Sequence, residues 1–215
     1  MDFDLFSQRL SKIKNLPLPG EVSHFKMAPE TRIRLMQEAR QKKRNPKRAA
    51  VMALFYPDTN ALAHILLILR KAHPKDVHSG QVGFPGGQSE QGDRDLRETA
   101  LRETHEEVGV PSTEIEVIRS LSEIYIPPSN FEVRPYIGLH QNRKPLFAPQ
   151  QSEVEALVEV PVADFMDDSK IFMQKLSTSY AANIDVPAFN LNGYTVWGAT
   201  AMMLSEIKEL LKRVL

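Results

Sequence analysis

The chain contains no cysteine. That absence excludes disulfides, thiolate metal sites and cysteine nucleophiles, and it suits a reducing compartment. Net charge is absent too, because 27 Lys and Arg balance 27 Asp and Glu. A neutral chain has no overall field to draw it to nucleic acid or to an anionic membrane, so any charge-based function must be local. No apolar run approaches the roughly 20 residues that span a bilayer. The opening MDFDLFSQRL lacks the basic-then-apolar order of an export signal. Internal repeats and low-complexity tracts are missing as well. These absences together predict a cytoplasmic protein with no nucleic-acid partner and no membrane partner.

What is present is an average globular composition, 42% hydrophobic and 25% charged over 215 residues, enough for one well-buried domain with some elaboration. Phe3, Phe6, Leu10 and Ile13 recur at intervals of three and four and predict a short amphipathic helix within residues 1–16. A second helix is predicted from about Pro29 to Gln41, with Ile33, Leu35, Met36 and Ala39 on one side. It stops in the basic run KKRNPKR, at Asn45 and Pro46. Residues 1–48 are thus expected to form a helical extension packed on a core of residues 49–215. From Ala49 the period changes: AAVMALFY and HILLILR flank the turn signal PDTN and predict a buried hairpin. A short strand QVGF follows, then a helix from about Arg94 to Val108 closed by Gly109. Further strands are expected at IEVIRSL, EVRPYIGLH, ALVEV, NIDVPAFNL and YTVW, and a last helix over 199–215. Helices and strands interleaved without a repeated βαβ unit indicate an α+β fold with a mixed sheet flanked by helices.

On the helix after FPGG, Glu103, Glu106 and Glu107 are related by steps of three and four, so their carboxylates share a face. Leu101, Thr104 and Val108, with Ala100 at the edge, form another face that packs on a sheet. The glutamates are therefore expected to face solvent or a cation. An isolated cluster of this kind is ordinarily a solvated face. Its context favours a hard divalent cation, which takes carboxylate oxygens and leaves positions open for substrate phosphates.

The segments FPGG at 84–87, TALRE at 99–103 and EEVGV at 106–110 resemble the Nudix box, with Gly87, Arg102, Glu103, Glu106, Glu107, Gly109 and Val110 matching. Fourteen residues, 88–101, separate Gly87 from Arg102, one more than the family's usual spacing, so its early glutamate falls on Asp93 or Arg94. Thr104 takes a position that is usually apolar. The longer spacing, with Glu90 and Asp93, resembles the coenzyme A pyrophosphatase branch. So does the upstream stretch ILLILRKAHPKDVHSGQVGFPGG, although its loop is one residue longer and Lys71 replaces a small residue. IPPSNFEVRPYIG and WGATAMML extend the likeness from about Ala49 to Leu204.

The resemblance implies a Nudix-type α/β/α sandwich and a Mg²⁺- or Mn²⁺-dependent hydrolase of coenzyme A or its acyl derivatives, yielding 4'-phosphopantetheine and adenosine 3',5'-bisphosphate. Glu103 and Glu107 would be principal metal ligands and Glu106 a further ligand or water contact. Arg102 would orient a glutamate. Arg70 and Lys71, with Gly86 and Gly87 of the turn, would meet the substrate phosphates. Glu153 and Glu155 are candidates for the general base, with ordinary surface residues as the equal alternative. Two other functions stay open: hydrolysis of another nucleoside diphosphate such as ADP-ribose, and a non-catalytic Nudix-like binding domain. A Nudix isopentenyl-diphosphate isomerase would call for a catalytic cysteine, which is lacking. The family also allows a homodimer. His73 and His78 read as exposed loop histidines, KKRNPKR as a solvated segment, and Trp197 as core rather than as a stacking platform.

Overall fold

The uninterrupted apolar run from Ala49 to Tyr56 requires a strand covered on both faces. In the computed structural model, which describes residues 1–40, 45–72, 80–140, 144–177 and 182–215, that run is β1 (Lys47–Pro57), the central strand of a mixed sheet. Its side chains alternate between two cores. Ala49, Ala53 and Phe55 belong to one, while Ala50, Met52, Leu54 and Tyr56 belong to the other.

In chain order the remaining strands are β2 (Ala63–Arg70), β3 (Val82–Gly83), β4 (Gly86–Gln88), β5 (Ile115–Ser120), β6 (Ile124–Ile126), β7 (Phe131–His140), β8 (Val154–Pro161), β9 (Ile171–Leu176), β10 (Ile184–Leu191) and β11 (Tyr194–Val196). The helices are α1 (Phe3–Leu10), α2 (Glu21–His24), α3 (Glu30–Arg40), α4 (Leu96–Val108), α5 (Val162–Met166) and α6 (Gly198–Leu211). β1 runs parallel to β7 and antiparallel to β2, so the sheet is mixed, as expected. A separate antiparallel sheet holds β9, β10 and β11. Its last hairpin turns at Asn192 and Gly193, both with positive φ, 48° and 81°, as a two-residue Asn-Gly turn requires.

β1 and β2 pair only near their turn, through Phe55–Pro57 and Ala63–Ile65. Further along, β1 pairs with β4 and β2 pairs with β3. The FPGG segment therefore enters the sheet between two strands that have parted, instead of capping one edge. β4 and β6 are absent from the sequence expectations because Gly-Gly-Gln and Ile-Tyr-Ile are too short to show a period. β9 was hidden by exposed side chains, including Ile171, Phe172 and Met173.

The helices cover both faces, giving the α/β/α arrangement. α4 lies on one face through Ala100 and Val108. α1 and α6 lie on the other, where Phe6 meets Phe55 with ring centroids 5.0 Å apart. Glu206 of α6, fully buried, ties three segments together. It takes His24 Nε2 at 3.0 Å, the Gly20 N–H at 3.1 Å, and the Ser122 hydroxyl at 2.6 Å and N–H at 3.2 Å. Burial alone would raise its pKa, but these donors outweigh that and hold it low. The second predicted helix is α3, ending at Arg40; Gln41, Lys42, Lys43 and Arg44 lie outside the described residues. No helix among the described residues is long and apolar enough to cross a membrane.

Candidate active site

Both ends of α4 are fixed by local chemistry. Asp95 caps its start by accepting the Glu98 N–H at 2.8 Å. Its end turns at Gly109, with φ +78°, where an added Cβ would stand 2.7 Å from Ala148. Ala100, Thr104 and Val108 face the sheet, fully buried. Thr104 is tolerated in an apolar position because its hydroxyl bonds back to the Ala100 carbonyl at 2.6 Å.

The three glutamates do not share one environment. Glu106 is half exposed, the Glu103 side chain is 14% exposed and that of Glu107 is 2% exposed. The expectation of a common solvated face is therefore wrong for Glu107. Its position rotates it toward the FPGG turn, where the Gly86 N–H donates to Oε2 at 2.8 Å and Arg70 Nη1 stands 3.6 Å from Oε1. Burial pushes the Glu107 carboxyl up to about 7 against those two favourable partners, and the charges of Glu103 and Glu153 push the same way. Glu103 is also raised, chiefly by burial, with Arg102 opposing and Glu106 and Glu153 adding to the rise.

The turn is shaped to these carboxylates. Gly86 has φ +151°, and a Cβ there would fall 2.4 Å from the Ala50 carbonyl oxygen. A Cβ on Gly87 would fall 2.6 Å from the Glu103 carboxylate. Glu103 and Glu107 thus both lie over the Gly86–Gly87 backbone.

Arg102 does not point into this space. Its Nε and Nη2 form a two-point pair with Asp93, each at 2.9 Å, while Nη1 reaches Glu103 at 2.9 Å and Glu106 at 3.1 Å. The Asp93 carboxyl is held far below the usual range, first by the Arg102 hydrogen bonds. Asp93, and not Arg94, therefore occupies the early acidic position; Arg94 pairs with Glu98 in solvent. Placed among the catalytic candidates, Arg102 is corrected to a positioning residue that anchors two glutamates.

The oxygen donor set of Glu103, Glu106 and Glu107 suits a hard divalent cation, and two raised carboxyls mark a place where negative charge is under-compensated. Among the described residues no three ligand side chains stand together as a finished cage. Arg70 and the Gly86 N–H hold Glu107, while Arg102 holds the other two.

Of the base candidates, Glu153 is near enough for its charge to raise Glu103 and Glu107; among the described residues nothing links Glu155 to the acidic helix. The β2–β8 pairing shifts register between Leu69 and Arg70, a bulge that aims Arg70 at Glu107. Lys71 is exposed, and its Nζ donates to the Gln151 carbonyl at 2.8 Å. It does not line the neighbouring cavity, so its pairing with Arg70 as a substrate contact is not supported. His73 and His78 lie outside the described residues.

That cavity has a volume of about 430 Å³ and includes Arg70, Gly86 and Gly87 in its wall. The rest is largely apolar and comes from both flanks of the chain: Met27 to Arg32, and Trp197 to Met203. Trp197 is half-buried in this wall, which corrects its assignment to the core. The sequence held a weak sign of the wall in Arg32, buried four residues before the buried Met36 of the same helix.

The NUDIX domain family profile matches residues 46–179. The chain is 32% identical over 164 residues to Nudix hydrolase 15, mitochondrial, of Arabidopsis thaliana, an overlap covering 74% of this chain and 56% of that protein. It is 31% identical over 151 residues to the Nudix hydrolase NudL of Yersinia enterocolitica, covering 67% of this chain and 72% of the relative. The overlap with the plant relatives thus takes in little more than half of their length. A Nudix hydrolase from M. smegmatis, RenU, superposes with a TM-score of 0.53 at 17% identity, covering 79% of this chain and 88% of that one, a likeness of fold. The turn, the acidic helix and these relationships agree, and the chain belongs to the Nudix family.

Proposed function

We propose that the chain is a divalent-metal-dependent hydrolase of nucleoside diphosphate derivatives, with coenzyme A or its acyl derivatives as the substrate class. One observation carries the reading: the Gly86–Gly87 turn that seats Glu103 and Glu107 is also part of the wall of the cavity. A diphosphate lying on that turn would have its organic part in an apolar enclosure and its phosphates beside the acidic helix and Arg70.

Bound Mg²⁺ or Mn²⁺ would supply positive charge to the phosphate oxygens. Glu103 and Glu107 would hold it, with Glu106 as a further ligand or water contact. Arg102, fixed by Asp93, would keep two of these carboxylates in place. Arg70 would add charge at the diphosphate, and the glycine turn would let the phosphates approach the backbone. Water attacks one phosphorus, the bridging P–O bond breaks, and the water proton passes to a carboxylate, for which Glu153 is a better placed candidate than Glu155. With coenzyme A the products are 4'-phosphopantetheine and adenosine 3',5'-bisphosphate. A cytoplasmic location and a homodimer complete the reading, with no nucleic-acid or membrane partner.

ADP-ribose is the second candidate, served by the same acidic helix and turn. Mass-spectrometric product identification across a panel of diphosphates, at equal Mg²⁺, separates the two. Higher kcat/KM for coenzyme A than for ADP-ribose is expected; the reverse order overturns the substrate class and leaves the hydrolase reading standing.

A further inference from the structure

The charged side chains in the cavity wall are Arg32 and Arg70; among the described residues no carboxylate lines it. The two arginines come from different elements and belong to different ends of the site. Arg70, at the end of β2, stands 3.6 Å from Glu107 and so serves the hydrolytic end. Arg32, on α3, belongs to the wall built from Met27–Pro29 and from Ile126, Pro128 and Ser129. Its residue surface is only 6% exposed, and Nη2 donates to the Tyr125 carbonyl at 3.4 Å. α3 lies outside residues 46–179, so this cation is an addition to the part of the chain that the family profile describes.

An apolar enclosure with one guanidinium beside the acidic helix and a second on another wall carries net positive charge where no carboxylate shares the lining. Guanidinium is the group best suited to two-point binding of a phosphate, and in a low-dielectric wall its preference for an anion is strengthened. We propose that Arg32 is a specificity-determining residue that receives a second anionic group of the substrate, a phosphate monoester carried away from the scissile diphosphate. The inference rests on the hydrolase reading above, and it assigns to Arg32 the discrimination that the sequence placed on Arg70 and Lys71.

The test uses matched diphosphates with and without a phosphate monoester: coenzyme A against dephospho-coenzyme A, and NADPH against NADH. In the wild-type protein the phosphorylated member of at least one pair is expected to have the higher kcat/KM. Arg32→Met should shrink that ratio by about 10- to 100-fold, mainly through KM, and Arg32→Lys should recover part of it. A wild-type protein indifferent to the monoester in both pairs overturns the proposal, as does a ratio unchanged by Arg32→Met. Should Arg32→Met not fold, product inhibition of the wild-type protein decides: adenosine 3',5'-bisphosphate should inhibit about tenfold more strongly than adenosine 5'-monophosphate, and equal inhibition overturns the proposal. If NADPH is preferred and coenzyme A is not turned over, while Arg32→Met removes the preference, the coenzyme A reading fails and the role of Arg32 stands.

Discussion

Glu107→Gln separates what the fold needs from what the chemistry needs. In the metal-free protein the Glu107 carboxyl titrates at about 7 instead of 4.5, so its ionised form is disfavoured by folding. At about 1.4 kcal/mol per pH unit this corresponds to about 3 kcal/mol. Because the folded value lies above the unfolded one, this stability is present below about pH 4.5, is lost as pH rises toward 7, and stays lost beyond it. A glutamine keeps an acceptor for the Gly86 N–H without the buried charge, but leaves Arg70 facing a neutral amide, so about 3 kcal/mol is an upper bound for the gain. In EDTA at pH 8 the variant should melt as much as about 6–12 °C above the wild-type protein, at roughly 2–4 °C per kcal/mol, with the difference vanishing near pH 4.5. Added Mg²⁺ should reverse the order: at about 100 times its Kd it stabilises the wild-type protein by about 2.7 kcal/mol and the variant by much less. Most hydrolytic activity should disappear in the variant at every Mg²⁺ concentration. Scanning calorimetry at three pH values reads all of this. A variant that melts below the wild-type protein in EDTA at pH 8, or that gains as much from Mg²⁺, refutes the placement of Glu107 as a strained metal ligand.

Gly87→Ala should displace the Glu103 carboxylate, which lies 2.6 Å from the new methyl position, and weaken Mn²⁺ binding about tenfold by titration calorimetry while the circular dichroism spectrum is kept. Asp93→Asn should cost about 2 kcal/mol in urea unfolding at pH 7 and lower kcat, because Arg102 loses its two-point partner. The stability difference should shrink below about pH 4, since the lowered Asp93 carboxyl contributes only while it is ionised in both states. Glu206→Ala should cost about 3 kcal/mol at pH 7 by leaving buried donors without an acceptor. Glu206 contributes above the unfolded carboxylate value of about 4.5 and loses that contribution as pH falls through its lower folded value, so the cost seen in urea should fade in acid.

The central hairpin, α4 and its glycine stop were legible because each rests on local chemistry: apolar runs around PDTN, and an acidic helix ended by Gly109. The box glutamates and Arg102 were legible from the motif. What the motif does not encode is how far each carboxylate lies from water. Glu107 is buried because α4 is rotated over β4, a relation between segments separated by the box loop. The cavity wall was less legible still. Met27, Arg32, Trp197 and Met203 meet only through tertiary packing, and no spacing rule connects them. Lys71 failed as a substrate contact for the opposite reason: sequence neighbours on a strand end point to different sides, and Arg70 took the inner one.

The carboxylate of Glu206 meets partners 182 and 186 residues earlier in the chain. During synthesis, then, the segment from Gly20 to Arg32 must wait for almost the whole polypeptide before its acceptor emerges, and the residues Trp197–Met203 that complete the enclosure arrive just before it. Contacts of such long sequence separation close late and slowly. The nascent protein therefore exposes Met27, Phe84 and Phe131 to the cytoplasm or its chaperones until translation is almost finished. A ribosome stalled short of residue 206 would carry the whole acidic helix and its glycine turn, yet no closed compartment in which to use them.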